Sequence, residues 1–404
     1  MPSPPLRQLS NSIDGRLSTS PAGAVRRIRV LHSAVNLNQG GLERVVADIV
    51  RYSDPSRFDH HILCIDYLGH IGEQLADCAT LHVARPMTRL SIVHPGGLIR
   101  TIREIAPDVV HSHSGVWFKV SMAARRAGVP RIIHTEHGRS RPDPLSHRVF
   151  DGVGARRTDV VVAVSNDLAT ELRERLYVPA SRVVVVPNGI DANHFRPRVD
   201  SGAIRRELGI AGDAPIIGSI GRLYPVKGYD IVLRGFAHFV RDWTGSVRPV
   251  LVLVGDGWLR EELERLATEL GIATDVRFTG WRDDTRDLLA MFSIFTLGSR
   301  SEGTSMSLLE AMSSGTYSVV TNVGGNAAVL GDKLSHWLVP PENPEALATR
   351  WRDALVDDAG RRRDVAAARS RVVEHFTTDV MIRAYEALYR DGVLSRIRER
   401  ASRR

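Results

Sequence analysis

Short apolar runs rich in Val and Ile alternate with helical segments along most of this chain, and the alternation occurs in two series. Runs in the first series include "IRVLHSAV" (28–35) and "DVVVAVS" (159–165); the second includes "PVLVLVGDG" (249–257) and "YSVVTNVGG" (317–325). Near-continuous β-branched runs separated by helices indicate parallel strands that are covered on both faces of a sheet. The sequence therefore predicts an α/β protein made of two doubly wound domains in tandem.

The segment "PNGIDANHFRPRVDSG" (187–202) separates the two series, because Pro, Gly and Asn interrupt both the strand and the helix period. We predict a Rossmann-like N-terminal domain at 26–197 and a second Rossmann-like domain at 198–375. Residues 376–404 are expected to form a helix that crosses back to the first domain. Ligands of such sheets bind at the carboxyl ends of the strands, so a cleft between the domains is the expected site.

Composition places the chain among ordinary globular proteins. It has 404 residues, of which 43% are apolar and 25% charged, and no apolar run approaches the length of a membrane helix. Residues 1–25 are rich in Ser, Pro and Arg and lack the apolar core of a signal peptide, so we predict a disordered tail. Cys64 and Cys78 fit no disulfide framework and no metal pattern. We therefore expect a cytoplasmic protein.

The net charge of +8 lies almost entirely in the first half of the chain, and it is dense in "ARRAGVPRIIHTEHGRSRP" (124–142). Such a patch suits an anionic membrane surface or an acidic substrate. Nucleic acid is not expected as a partner, because no recognition motif accompanies the charge. One hypothesis is peripheral membrane attachment, and the alternative is a surface that only keeps the protein soluble. The candidate contact residues are Arg125, Arg126, Arg131, Arg139 and Arg141.

Two glutamates stand in the mostly small and apolar segment "SEGTSMSLLEAMSSG" (301–315). Ser307 and Glu310 have the spacing of a capping box, which predicts a helix that starts between Ser305 and Ser307. Glu302 would then lie in the preceding loop, and both carboxylates could reach an anionic ligand held at the helix N-terminus. An equally good interpretation is a helix cap for Glu310 and a solvated loop for Glu302.

Arg222 and Lys227 follow the predicted strand "IIGSIG" and flank a turn. A guanidinium and an ammonium group at a strand's carboxyl end suit a diphosphate, although two solvated loop cations are the simpler alternative. Lys227 is one of only three lysines beside 51 arginines, which favours a function for it. Gly41 precedes a predicted helix and could approach a phosphate, but "NQGGLER" is not a dinucleotide fingerprint, and an ordinary turn explains it equally well.

Four histidines lie at predicted strand ends, His111 and His113 in "HSHS" and His134 and His137 in "HTEH". Imidazoles and the Glu136 carboxylate are possible metal ligands, but neither spacing matches a familiar metal signature. We therefore expect no metal site. Some of these histidines should be hydrogen-bonded structural residues, with one or two facing the cleft.

Taken in order, the motifs resemble those of a retaining glycosyltransferase of the GT-B superfamily, CAZy family four. The resemblance extends over roughly residues 27–392 and rests on "GGLER", "HTEHG", "VPNGID", "GRLYPVKG", "LVGDG", "FTGW", "SEGTSMSLLEAMSSG" and "TNVGGN". It implies two Rossmann-like domains that face a central cleft. It also implies sugar transfer from a UDP- or GDP-sugar to a glycan or lipid-linked acceptor, with no cofactor and no metal ion.

The resemblance implies a donor site with a catalytic set of four residues. Arg222 and Lys227 would bind the diphosphate and stabilise the leaving nucleotide. Glu302 would hold hydroxyls of the donor sugar, and His137 would contact the sugar near its reacting carbon. Glu310 would bind the ribose. The other expected donor-binding residues are Gly41, Gly303, Thr304, Ser305, Met306 and Ser307.

The chain departs from the family pattern at three positions. The family often has Pro at the positions of Ser305 and Tyr317, and Glu at that of Ala328. We expect the first two to lie near the donor site and to affect sugar preference. Two alternative functions stay open, namely another GT-B enzyme such as an epimerase or phosphorylase, and a catalytically silent protein that binds sugar nucleotides or polyanions.

Overall fold

The computed structural model describes residues 26–38, 40–84, 95–138 and 145–402. The predicted disordered tail at 1–25 lies outside the described residues, and so do Arg139 and Arg141 of the basic segment.

The first domain is built on a sheet of seven parallel strands in the order β3-β2-β1-β4-β5-β6-β7. Its strands are β1 Ile28–Ala34, β2 Phe58–Cys64, β3 Thr80–Val83, β4 Val109–His113, β5 Arg131–Glu136, β6 Val160–Ala163 and β7 Val183–Val185. The helices between them are α1 Gly41–Tyr52, α2 His70–Glu73, α3 Gly96–Ile105, α4 Trp117–Ala127, α5 Leu145–Ala155 and α6 Asn166–Arg175.

The second domain has a sheet of six parallel strands in the order β10-β9-β8-β11-β12-β13. Its strands are β8 Ile216–Ile220, β9 Val250–Val254, β10 Val276–Gly280, β11 Ile294–Leu297, β12 Ser318–Thr321 and β13 Leu338–Val339. The helices are α7 Ala203–Glu207, α8 Tyr229–Arg241, α9 Arg260–Glu269, α10 Thr285–Met291, α11 Met306–Ser313, α12 Asn326–Leu330, α13 Pro344–Val356 and α14 Asp358–His375. The last helix of the chain is α15 Thr378–Ser402.

The strand sequences explain why both sheets form. All five residues of β9, "VLVLV", are buried, as expected for a strand covered by helices on both faces. In each sheet the strand order reverses once, between β1 and β4 and between β8 and β11. Loops that follow the strands on either side of such a reversal diverge and leave a crevice at the carboxyl ends. The predicted pair of doubly wound α/β domains is confirmed.

The chain crosses between the domains twice, and the two crossings are hydrogen-bonded to each other. The Ile190 N–H donates to the Phe376 carbonyl at 2.9 Å, and the Thr378 N–H donates to the Ile190 carbonyl at 2.9 Å. Helix α15 then packs on the first domain, where the fully buried Tyr385 and Tyr389 join its core. The last helix thus ties the second domain to the first.

No helix within the described residues combines the length and apolar character that crossing a bilayer requires.

Candidate active site

The N-termini of two helices, one from each domain, lie against each other. Helix α1 begins at Gly41 and α11 begins at Met306, and a Cβ added to Gly41 would lie 3.4 Å from the Met306 Cγ. Each N-terminus carries unpaired N–H groups and a partial positive charge. The space beside this contact therefore favours an anion such as a phosphate.

The cap of α11 differs in part from the prediction. The helix starts at Met306, within the predicted range, but its N-cap is Ser305, whose hydroxyl accepts a hydrogen bond from the Leu308 N–H at 3.4 Å. The predicted capping box from Ser307 to Glu310 is wrong, because the helix starts two residues earlier than that box requires. Glu310 consequently lies inside the helix, and its carboxylate is free to bond to another element.

Glu310 forms an ion pair with Arg44 of α1, across the contact between the two domains. Arg44 Nη1 lies 2.8 Å from Glu310 Oε1, and the glutamate side chain is only 5% exposed. Burial raises the pKa of Glu310 to about 7, Arg44 opposes this shift, and the nearby Asp48 adds to it. Glu310 therefore changes charge close to neutral pH.

Arg44 is not among the predicted site residues, although the motif "GGLER" contains it. It follows Gly41 by three residues on α1, so its side chain lies on the helix face of Gly41, beside the N-terminus. This position beside the helix N-terminus could have indicated that Arg44 belongs to the site. Its carboxylate partner Glu310 could not be predicted, because it lies 266 residues away in the chain.

Lys227 and Glu302 come together as a direct ion pair. The Lys227 Nζ lies 2.7 Å and 3.0 Å from the two carboxylate oxygens, and the Ser299 hydroxyl donates to one of them at 2.6 Å. Lys227 follows β8 and Glu302 follows β11, and these strands are neighbours at the reversal in the sheet. Their carboxyl-end loops therefore meet, as the spacing of the motifs suggested.

Arg222 lies on the same loop as Lys227 and is exposed. Its guanidinium carbon lies 5.0 Å from the centre of the Tyr224 ring, and that ring stacks on Trp258 at 4.6 Å. Within the described part of the chain, no carboxylate pairs with Arg222. Its charge is therefore available for an anionic ligand.

The loop before α11 docks on the first domain. A Cβ added to Gly303 would lie only 2.5 Å from the His137 carbonyl oxygen, so this close approach requires glycine. The Thr304 hydroxyl donates to the Val164 carbonyl, and the Asn188 amide donates to the Thr304 carbonyl at 3.1 Å. The Thr304 side chain is thus engaged between the domains. Its predicted role in donor binding remains a prediction.

His137 follows β5 and lies beside the Glu302 loop. Its backbone N–H donates to the Ser114 hydroxyl at 2.9 Å, and its ring Nε2 lies 3.1 Å from His113 Nδ1. Burial lowers the pKa of His137 to about 4, against an opposing effect of the adjacent Glu136, so the imidazole is neutral at neutral pH.

The histidines predicted at strand ends divide between the two faces of the sheet. His134 stacks on Trp117 with ring centres 4.0 Å apart, and its Nδ1 bonds to the Ser112 hydroxyl at 3.0 Å. This is the opposite face from His111 and His113, because side chains alternate along a strand. His134 is therefore one of the hydrogen-bonded structural histidines that we expected.

A possible set of metal ligands exists among the described residues, in a different combination from the one considered in the sequence. His32, His111 and His113 place ring nitrogens within 4.8 Å of one another. Those nitrogens are already within hydrogen-bonding distance of other imidazoles or of hydroxyl groups. An ion there would have to displace these bonds, and the expectation of no metal remains a prediction.

Tyr317 does not lie near the donor site, so that expectation is wrong. Its carbonyl accepts a hydrogen bond from the Phe295 N–H at the amino end of β11, and its ring packs 4.6 Å from that of Trp337. The crevice lies at the opposite, carboxyl end of these strands. Ser305, the other departure from the family pattern, does lie at the site as the N-cap of α11.

Comparison with known families gives two adjoining matches. Residues 39–194 match the family model described as Glycosyltransferase Family 4, and residues 200–371 match the one described as Glycosyl transferases group 1. The boundary between them falls in the connection between the two sheets.

Individual relatives agree with these matches. D-inositol 3-phosphate glycosyltransferase of Saccharomonospora viridis is 32% identical over 72% of this chain and 73% of its own length. UDP-Gal:alpha-D-GlcNAc-diphosphoundecaprenol alpha-1,3-galactosyltransferase of Escherichia coli is 25% identical over 78% of this chain and 84% of its own. The crystal structure of Anabaena HepE with UDP-glucose superposes with a TM-score of 0.74 at 22% identity, covering 90% of this chain and 99% of HepE. The fold is therefore GT-B, and this chain belongs to the glycosyl transferases group 1 family.

Proposed function

We propose that this glycosyltransferase moves a hexose from a UDP-sugar to a glycan or lipid-linked acceptor, with retention of configuration and without a metal ion. The observation that carries the proposal is the contact between the N-termini of α1 and α11, together with the ion pair of Lys227 and Glu302 on the loops that follow β8 and β11. Breaking the bond between sugar and diphosphate places negative charge on the leaving group. Fixed N–H groups and cations that face this charge are the largest expected source of catalysis.

The ion pair between Lys227 and Glu302 holds one cation and one carboxylate close together, where a ligand that carries a diphosphate and a sugar would bind both. The diphosphate would draw the ammonium group toward itself, because a doubly charged group competes well for a cation. Glu302 would then accept hydrogen bonds from sugar hydroxyls, while Arg222 binds the diphosphate with its exposed guanidinium.

Glu310 would bind the ribose of the same ligand. Its carboxylate lies one turn inside α11, behind the N–H groups that would face the diphosphate. Arg44 holds one of its oxygens, which leaves the other available to the ribose hydroxyls. His137, whose carbonyl oxygen closely approaches Gly303, would contact the sugar from the first domain.

The choice of UDP and of the acceptor class is supported by the relatives. HepE was crystallised with UDP-glucose, and the E. coli relative is named for UDP-galactose and a diphosphoundecaprenol-linked acceptor. A lipid-linked acceptor would place this enzyme at the cytoplasmic face of a membrane. We infer peripheral attachment through the basic surface of the first domain.

We expect one nucleoside diphosphate, UDP, to bind without a divalent metal. Isothermal calorimetry with UDP, GDP, ADP and NAD, in EDTA and again in Mg²⁺, tests this on the full chain. Glu310→Ala should weaken UDP binding about tenfold or more, since it removes a charged hydrogen-bond acceptor. Binding of none of the four, or equal binding by the variant, would contradict the proposed donor site and favour a silent protein.

Affinity for UDP should rise with pH across the range around 7. Because the pKa of Glu310 is raised to about 7, the carboxyl is mostly protonated below that pH and becomes a full acceptor for ribose hydroxyls above it. The wild type should gain about tenfold over Glu310→Gln between pH 6 and pH 8, since charged hydrogen bonds are the stronger ones. The phosphates of UDP titrate equally in both proteins, so parallel curves would refute this role of Glu310.

Lys227→Ala should mainly reduce turnover. The interaction of its ammonium group with the diphosphate strengthens as negative charge develops on the leaving group, so it is larger in the transition state than in the ground state. Steady-state kinetics with the UDP-sugar that supports transfer would show a lower kcat with a smaller change in KM. A change in KM alone would make Lys227 a uniform binder of substrate and transition state.

The membrane proposal predicts sedimentation with anionic vesicles, weakened by salt, and none with neutral vesicles. Among the candidate contact residues, Arg125 pairs with Asp159 at 2.6 Å, whereas Arg126 is exposed. Binding should therefore fall in a triple alanine variant of Arg126, Arg139 and Arg141.

A matched control removes the same charge from α14. The triple alanine variant of Arg361, Arg362 and Arg363 lies in the second domain and should bind vesicles as the wild type does. Vesicle binding that does not weaken with salt, or an equal loss of vesicle binding in both triple variants, would refute attachment through the first domain.

A further inference from the structure

Four imidazoles form a diagonal row across one face of the first sheet. His60 lies on β2, His32 on β1, His113 on β4, and His137 directly after β5, and these strands are neighbours in that order. Each histidine after His60 lies two residues further toward the carboxyl end of its strand than the residue that pairs with the preceding histidine. His32 stands opposite His111, for example, and the next member of the row is His113.

Each ring in the row faces the next one through a nitrogen atom. His60 Nδ1 lies 3.0 Å from His32 Nε2, His32 Nδ1 lies 3.5 Å from His113 Nε2, and His113 Nδ1 lies 3.1 Å from His137 Nε2. Among the described residues, the two terminal nitrogens, His60 Nε2 and His137 Nδ1, are buried without a hydrogen-bond partner. Every ring therefore points Nδ1 toward the active site and Nε2 away from it.

The rings of the row are neutral at neutral pH. Burial lowers the pKa of His60 and of His137 to about 4, and it lowers the pKa values of His32 and His113 well below the usual range. A neutral imidazole has one N–H donor and one acceptor nitrogen. All three contacts are satisfied only if every ring carries its proton on Nδ1, or every ring carries it on Nε2.

The two ends of the row differ, because His60 is buried in the interior of the domain, whereas His137 is only half-buried at the carboxyl end of the sheet. Protons on Nε2 would leave an N–H of His60 in the interior without an acceptor, and orphaned buried donors are rarer than under-satisfied acceptors. Protons on Nδ1 instead place the free N–H at the half-buried His137, where water, or an oxygen of a bound ligand, can accept it. We propose that His60, His32 and His113 are positioning residues that hold His137 as the Nδ1–H tautomer, so that it donates a hydrogen bond to an oxygen of the donor sugar.

The contact with the sugar rests on the proposed function, whereas the tautomer of His137 does not. The neighbouring His111 takes no part, because its nitrogens lie 2.8 Å from the Tyr389 hydroxyl and 2.7 Å from the Thr135 hydroxyl. The row therefore acts on the active site through His113 alone.

The tautomers can be measured by NMR on the full chain labelled with ¹⁵N-histidine, since protonated and bare ring nitrogens have distinct ¹⁵N shifts. His137→Gln assigns the resonances of His137. We expect Nδ1–H at all four rings of the row in the absence of nucleotide. A bare Nδ1 on His137, or different tautomers along the row, would overturn the proposal.

Changes at His32, which does not touch His137, test the coupling. His32→Ala leaves a polar space in which a water can donate or accept, so the constraint is released and His137 should show both tautomers. His32→Gln keeps one donor and one acceptor and should restore the single tautomer. The control is His61→Ala on the opposite face, where His61 pairs with His82 at 3.0 Å outside the row. An unchanged His137 in His32→Ala would overturn the proposal.

Activity supplies a second readout. In His32→Ala, kcat/KM for the donor should fall in proportion to the lost fraction of the Nδ1–H tautomer, because only that fraction is competent. His32→Gln and His61→Ala should keep the wild-type value. A metal ion found bound to the row by elemental analysis would overturn the proposal, since it would occupy nitrogens that the row needs. A bare Nδ1 on His137 refutes the positioning role of the histidine row even if UDP binds. Failure to bind UDP refutes the proposed function, whichever tautomer the NMR spectrum shows.

Discussion

The contact between the N-termini of α1 and α11 is the constraint on which the rest of the site depends. It brings the positive ends of two helix dipoles to one place, and a Cβ added to Gly41 would lie 3.4 Å from the Met306 Cγ. The domains are held in this arrangement by the Thr304 hydroxyl on the Val164 carbonyl and by Arg44 on Glu310. The same few residues therefore create a positive potential that favours an anion and hold the two domains together.

Apart from the exposed Arg222, the charged groups described at the site are paired with one another. Lys227 is held by Glu302, and Glu310 is held by Arg44, so each half-buried charge has a counter-charge. Such pairs avoid the cost of burying a lone charge. A ligand that offers both anionic oxygens and hydroxyl groups can bind both members of such a pair. Its anionic oxygens would bind the cation, and its hydroxyl groups would bind the carboxylate.

Prediction from the sequence succeeded where a property is local. The all-apolar strand β9 follows from residue types within a few positions, because an unbroken run of β-branched and other apolar residues marks a strand covered on both faces. It failed where local patterns are weak or ambiguous. No helix was predicted at α14, whose eighteen residues include only three buried ones and so show no apolar stripe. Two serines competed for the cap of α11, and the spacing alone favoured the wrong one.

The sequence by itself determined two parallel α/β domains, the residue types of the site and their order along the chain. Only the tertiary structure decided their partners. Arg44 and Glu310 are 266 residues apart, and Lys227 and Glu302 are 75 apart, so no local pattern relates them. The histidine row likewise exists only through the register of four neighbouring strands. The sequence determines the chemistry of each side chain, whereas the packing of strands and domains determines which side chains lie close to one another.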